Sequence, residues 1–252
     1  WSRGLGDVYK GQAGGCFVTG GTIGNLSALV AARHDANAKR SEAGLDRPTR
    51  WVMVASEGTH SSIDSAANVM DVDVVLANAD DSRRLRGDAV AAAIAGRPEG
   101  TEVFAVVATA GTTNVGVVDA LDEVADAAAE HGAWFHVDAA YGGAALAAES
   151  ARPHFAGIDR CDSMVIDPHK WLFAPFDCCA LLYREPARAQ AVHAQHEEYL
   201  DFLDEWGAWN PSDFAIHLTR RVRGPPFWSS LATHATAAYA DSIHGPPRLS
   251  YI

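Results

Sequence analysis

The stretch "SMVIDPHKWLFAPFDCCALLY" sets one lysine, Lys170, in a turn between two apolar runs that have the look of buried strands. An unpaired ammonium costs on the order of several kcal/mol to bury, so a lysine there is either a surface residue or a reactive one. Desolvated beside Pro168, His169 and Trp171, its amine would lose proton affinity and become a nucleophile for an aldehyde. For any single lysine the surface reading, with the stem packed and the head in water, is the commoner one.

Other polar residues follow apolar runs in the same way. In "WFHVDAAYGG" Asp138 ends a strand-like run, and Ala139, Ala140, Gly142 and Gly143 after it leave room for something flat. A half-buried carboxylate at that point needs a cationic partner or several donors. In "EGTHSSIDSAAN" His60 lies between a strand-like run and a helix, placed to cap a turn or lie flat against a ring. "GGCFVTGGTIGNLSAL" and "VVATAGTTNVGVVD" each lead from a strand into glycines and threonines, with a helix expected from near Asn25 in the first and Thr112 and Thr113 in the second. A helix start of that kind points N–H groups and a positive dipole end at an anion. Neither a G-x-G-x-x-G pattern nor a P-loop lysine is present, which favours a single phosphate over a dinucleotide or triphosphate.

Each loop alone reads as an ordinary turn. Together they offer an amine, a carboxylate, a phosphate cup and a ring-stacking imidazole. Pyridoxal 5′-phosphate (PLP) asks for that set: a lysine for its aldehyde, a carboxylate for its pyridine nitrogen, donors for one phosphate and a group against its face.

The elements that would position these residues alternate along the chain. "WVMVAS", "VDVVLA", "VFAVVAT", "WFHVD" and "SMVID" are nearly continuous apolar runs, as strands covered on both faces should be. "SSIDSAANVM", "DAVAAAIAG" and "ALDEVADAAAEHG" between them carry helical spacing, the last closed by Gly132. The alternation predicts an α/β fold, a mostly parallel sheet with helices on both faces, whose ligand sits at the carboxyl ends of the strands.

The 252 residues carry a net charge of −12, which argues against a nucleic-acid or anionic-membrane partner. No apolar run approaches a membrane span or a signal peptide. The four cysteines show no metal spacing and read as buried thiols of a reducing compartment, so the protein is expected to be cytoplasmic and without a metal. The segment at about 198–217 mixes acidic and aromatic residues with Gly and Pro and is expected to be a mobile loop. The two prolines of "RGPPFW" are expected to bend the approach to the last helix. The ends, 1–13 and 245–252, carry little pattern and are expected to be non-native.

"TGGTIGNLSAL", "HSSIDSA", "ATAGTTNVGVVD", "HVDAAYGGAAL", "DPHKWLFAPFDCCALLY" and "LTRRVRGPPFW" resemble, in order, segments of the group II PLP-dependent amino-acid decarboxylases. That family includes aromatic-L-amino-acid, histidine and glutamate decarboxylases, and the resemblance runs from about Gly14 to about Ile243. It implies the fold type I large domain over residues 14–217, working as a homodimer, with 218–244 beginning the connection to a missing C-terminal small domain. Lys170 would be the Schiff-base lysine, Asp138 the partner of the pyridine nitrogen, His60 the group stacked on the ring and Ala140 its opposite face. Gly21, Thr22, Thr113 and His169 would hold the phosphate, with Asp167 close by. Tyr199, in "EEYLDF", falls where the family carries a tyrosine that returns a proton to the substrate carbon.

The reaction implied is decarboxylation of an L-amino acid to its amine and carbon dioxide through a quinonoid intermediate, with an aromatic amino acid as the leading substrate. A glutamate- or diaminobutyrate-type substrate, a lyase of the same fold, and a non-catalytic homologue acting as a binding or dimerisation partner are the alternatives. Family members are far longer than this chain, so the sequence reads as a fragment whose activity belongs to a longer parent.

Overall fold

Strand β4 (Thr101–Thr109) shows why the chain layers as it does. Along it Ala105 and Val107 point into one apolar cluster, while Val106 and Ala108 point into another on the opposite face. Side chains alternate across a strand, so a strand covered on both faces has to be apolar throughout. The computed structural model describes residues 13–194 and 210–244.

The other strands are β1 (Gly14–Val18), β2 (Arg50–Ser56), β3 (Asp73–Ala77), β5 (Trp134–Asp138), β6 (Ser163–Ile166) and β7 (Cys179–Tyr183). They form one sheet in the order β1-β7-β6-β5-β4-β2-β3. β2 through β6 run parallel, and β7 lies antiparallel to both β6 and β1. Helices α1 (Gly21–Glu42), α2 (Ser62–Met70) and α5 (Pro186–His193) cover one face through Leu29, Ile63 and Ala189. Helices α3 (Gly87–Ala95), α4 (Leu121–Glu130) and α6 (Gly224–His244) cover the other through Ile94, Val124 and Phe227. The expected α/β layering is therefore present.

Arg188 ties α5 to α1 and to the sheet. Its guanidinium forks onto Asp35 at 2.8 and 2.7 Å, reaches Asp162 at 2.9 Å and sits 4.2 Å from the Trp134 ring centre. All four cysteines are buried and none forms a disulfide. Among the described residues no helix is long and apolar enough to cross a membrane.

Three expectations are corrected. Helix α1 begins at Gly21 rather than near Asn25, because the carbonyl of the extended Gly20 already accepts the N–H groups of Ile23 and Gly24. Asn25 therefore sits one turn inside the helix, on its buried face. Residues 210–217, read as part of a mobile loop, are anchored: Pro211–Phe214 forms a 3-10 turn capped by Asn210, and Phe214 and Ala215 are buried. The Tyr183 hydroxyl donates to the Phe214 carbonyl at 3.1 Å. Pro225 and Pro226 lie in the first turn of α6, where a missing N–H costs nothing, and the helix breaks instead at Ala235, with φ at 58°.

Candidate active site

The carboxyl ends of β4, β5 and β6 open onto one cavity of about 270 Å³. Gly21, Thr22, His60, Thr113, Asp138, Ala140, Asp167, His169 and Lys170 all line it. These residues come from five separate segments of the chain, and only the strand order brings them together. A larger cleft of about 1070 Å³ adjoins the cavity and shares Thr113 and Tyr141 with it.

Asp138 is the last residue of β5 and is 4% exposed, more deeply buried than the half-buried carboxylate expected. Neutral donors hold it in place of a cation: Asn25 Nδ2 at 2.9 Å on one oxygen and the Ala140 N–H at 3.1 Å on the other. Asn25 does not stand out in the sequence, because a helix expected to begin near it gives its side chain no inward direction. Its second amide hydrogen reaches Ser62 Oγ at 2.9 Å, and that hydroxyl lies 2.9 Å from His60 Nδ1. The Ser62 backbone N–H also donates to His60 Nδ1, at 3.1 Å.

Behind Asn25 lies His136, with its Nε2 2.9 Å from Asn25 Oδ1 and its Nδ1 2.8 Å from Ser163 Oγ. Trp134 Nε1 donates to the same serine oxygen at 2.8 Å. Full burial pushes the His136 pKa well below the ordinary histidine value, although the Asp138 charge pulls the other way. The imidazole is therefore neutral near pH 7.

Lys170 stands in the turn after β6, where its N–H donates to the Asp167 carbonyl at 2.9 Å. The side chain is 35% exposed and its Nζ pairs with Asp167 Oδ2 at 3.0 Å. This corrects the expectation of a desolvated amine: a buried carboxylate three residues back holds the ammonium. Asp167 is 2% exposed, so removing its cationic partner would leave a buried charge uncompensated. Its Oδ2 also accepts the Gly21 N–H at 3.4 Å, while Oδ1 has no hydrogen-bond partner.

His169 closes the same turn through Nδ1, within hydrogen-bonding distance of both the N–H and the carbonyl of Cys178. Phe176 meets its ring edge-on at 4.9 Å. Of the two threonines after β4, Thr112 is buried and its hydroxyl accepts the Val117 N–H, whereas Thr113 faces the cavity. Tyr141, at the cavity wall, stacks on Trp171 with the planes 13° apart. Tyr199 lies outside the described residues. Among the described residues no group of three metal-ligating side chains occurs.

An amine, a buried carboxylate and an imidazole around one small cavity are the parts a pyridoxal enzyme uses, and the comparisons agree. The pyridoxal-dependent decarboxylase conserved domain matches residues 4–249. An aromatic-L-amino-acid decarboxylase of Bacillus atrophaeus is 34% identical over 245 residues, covering 94% of this chain and 49% of the relative. An acidic amino acid decarboxylase of Xenopus tropicalis is 32% identical over 240 residues, covering 92% and 47%. The crystal structure of Oryza sativa TDC with PLP and tryptamine superposes with a TM-score of 0.85 at 30% identity, covering 95% of this chain and 52% of that one. The chain thus spans about half the length of the relatives it matches. With the fold, the site and the match over nearly all its residues in agreement, the chain belongs to the pyridoxal-dependent decarboxylase family.

Proposed function

We propose that this chain is the cofactor-bearing part of a PLP-dependent amino-acid decarboxylase, a carboxy-lyase that converts an L-amino acid to its amine and carbon dioxide. The observation that carries the reading is the convergence of Lys170, Asp138 and His60 on one cavity from loops far apart in the chain.

The residues present fit the cofactor. A Cβ at Gly21 would stand 3.2 Å from the Ala140 Cβ and 3.3 Å from Asp167 Oδ2, so the bare glycine keeps that corner open. Lys170 would hold the aldehyde, Asp138 the pyridine nitrogen, His60 and Ala140 the two ring faces, and Gly21, Thr22, Thr113 and His169 the phosphate. Bound PLP supplies an aldehyde for the amine and a ring that takes up the electron pair left when the carboxylate departs from Cα.

The chain's own residues do the rest. Asp167 holds Lys170 Nζ at 3.0 Å and so keeps the amine aimed until an aldehyde arrives. Asp138, anchored by neutral donors alone, has no cationic side chain competing with the ring nitrogen. A carboxylate has no hydrogen to offer a phosphate, so Asp167 serves the lysine and the Gly21 N–H. Tyr199 is proposed as the donor of a proton to the substrate carbon.

An aromatic L-amino acid is the substrate proposed, supported by the Bacillus relative and by the Oryza sativa structure with tryptamine. Acidic and cysteine sulfinic acid decarboxylases also match, so acidic substrates form the second reading. Homodimer assembly and a cytoplasmic location are part of the proposal.

The test uses the chain's three lysines, Lys10, Lys39 and Lys170. The chain is mixed with PLP, reduced with borohydride and mapped by mass spectrometry, then given aromatic, acidic and sulfinic amino acids while amine and carbon dioxide are measured. Label on Lys170 supports the reading. Label confined to Lys10 or Lys39, or none at all, sinks it.

A further inference from the structure

The hydrogen bonds around Asn25 have a direction that both ends of the network dictate. An indole Nε1 can only donate and a carboxylate can only accept. Trp134 Nε1 therefore gives its hydrogen to Ser163 Oγ, 2.8 Å away, and Ser163 passes its own to His136 Nδ1 at 2.8 Å. At the far end Asp138 Oδ2 takes a hydrogen from Asn25 Nδ2 at 2.9 Å. That sets the amide with its nitrogen toward Asp138 and Ser62 and its oxygen toward His136. His136 must then donate from Nε2, which agrees with Nδ1 accepting from Ser163. Every bond from Trp134 to Asp138 thus runs one way. Ser62, having accepted from Asn25, turns its hydroxyl hydrogen to His60 Nδ1.

We propose that Asn25 is a positioning residue for the reaction: one amide, aimed by His136, Ser163 and Trp134, holds the Asp138 carboxylate and, through Ser62, fixes His60 with its proton on Nε2. Asn25 and Asp138 are 1% and 4% exposed and His136 is fully buried, so water cannot stand in for a missing partner. The two groups that would meet the ring nitrogen and the ring face are in this way oriented by the same side chain. The inference rests on the PLP reading only for its consequence, since the proton positions belong to the protein alone.

Nitrogen-15 spectra of the histidine side chains, recorded on the chain without cofactor at a pH well above the ordinary histidine range so that only neutral rings are read, test it directly. Both His60 and His136 are expected to carry their proton on Nε2. A proton on Nδ1 of either one overturns the assignment, and this measurement needs no variant to fold. The second arm is Asn25→Leu, of similar size but without donor or acceptor, which leaves the His136 Nε2–H with no oxygen to meet. His136 should then become a mixture of tautomers, and PLP affinity, followed by absorbance, should fall about tenfold to a hundredfold, as for loss of a hydrogen bond to a charged group. A folded Asn25→Leu chain with unchanged His136 shifts and unchanged PLP affinity overturns the proposal. Should the wild-type chain bind no PLP, the decarboxylase reading falls while the tautomers still decide the network.

Discussion

Asp119 takes the Thr109 N–H on one carboxylate oxygen and the Leu85 N–H on the other, each at 2.7 Å. A single side chain so clamps the end of β4, from which Thr113 hangs, to the turn ahead of α3. Burial pushes its pKa up to about 6 from an ordinary 3.8, against the pull of those two N–H groups. The folded chain then holds a proton that the unfolded chain has already released. The contribution is fully present below the unfolded value of 3.8 and is lost as pH rises through about 6. Urea unfolding across that window should show wild type losing up to about 3 kcal/mol relative to Asp119→Asn. A difference that stays flat with pH would count against it.

Gly111 has a φ of 102°, and a Cβ there would stand 2.6 Å from the Gly142 Cα and 2.7 Å from its nitrogen. Backbone meets backbone at this point, with no flexible side chain to yield. Gly111→Ala is expected to cost about 1–3 kcal/mol from conformation and crowding combined, read as a lower denaturation midpoint. It should also lower PLP affinity, because Thr113 follows two residues on.

Lys170 has a chemical and an electrostatic part, and two variants separate them. Lys170→Ala should abolish the borohydride-trapped adduct and cut any decarboxylation by more than about a thousandfold. It should also destabilise the chain by about 1–2 kcal/mol, a figure held down by the partial exposure of the amine, because Asp167 is left buried without its cation. Lys170→Arg should recover the stability and none of the chemistry. If both variants are equally stable, the ion pair carries no weight.

Arg188 combines a two-pronged bond to Asp35, a bond to Asp162 and a face contact with Trp134. An ammonium is a point charge and cannot make the fork. Arg188→Lys is expected to lower stability by about 1–2 kcal/mol in thermal or chemical unfolding. PLP binding should stay near the wild-type level, since Arg188 is not among the residues that line the cavity.

The strands could be read from the sequence because burial on both faces leaves continuous apolar runs, and β5 falls on "WFHVD" as expected. Lys170, Asp138 and His60 were visible for a related reason, as polar residues standing where such runs end. Asn25 was hidden by two glycines that look like a loop. The extended Gly20 hands straight over to a helix, and Gly24 has to be bare because a Cβ would stand 2.6 Å from Val165 Cγ1. Neither fact shows in composition or spacing. The environment of Lys170 was misjudged because no local pattern reveals that the Asp167 side chain turns inward to meet it. The anchoring of residues 210–217 escaped notice for a like reason, since the surface they cover is made by β1 and β7 from opposite ends of the chain.

The turn that carries Lys170 leaves the sheet after Ile166 and returns by Cys179, and Ile166 pairs directly with Ala180. Asp138, in its turn, is in register with Val165. The spacing between the backbones that carry amine and carboxylate is consequently set by the register of three neighbouring strands, while helix α1 aims the side chains through Asn25 and Gly21. The fault this design cannot absorb is a slip of β6 along β5, where two residues of travel would carry the lysine about 6.6 Å past its counterpart.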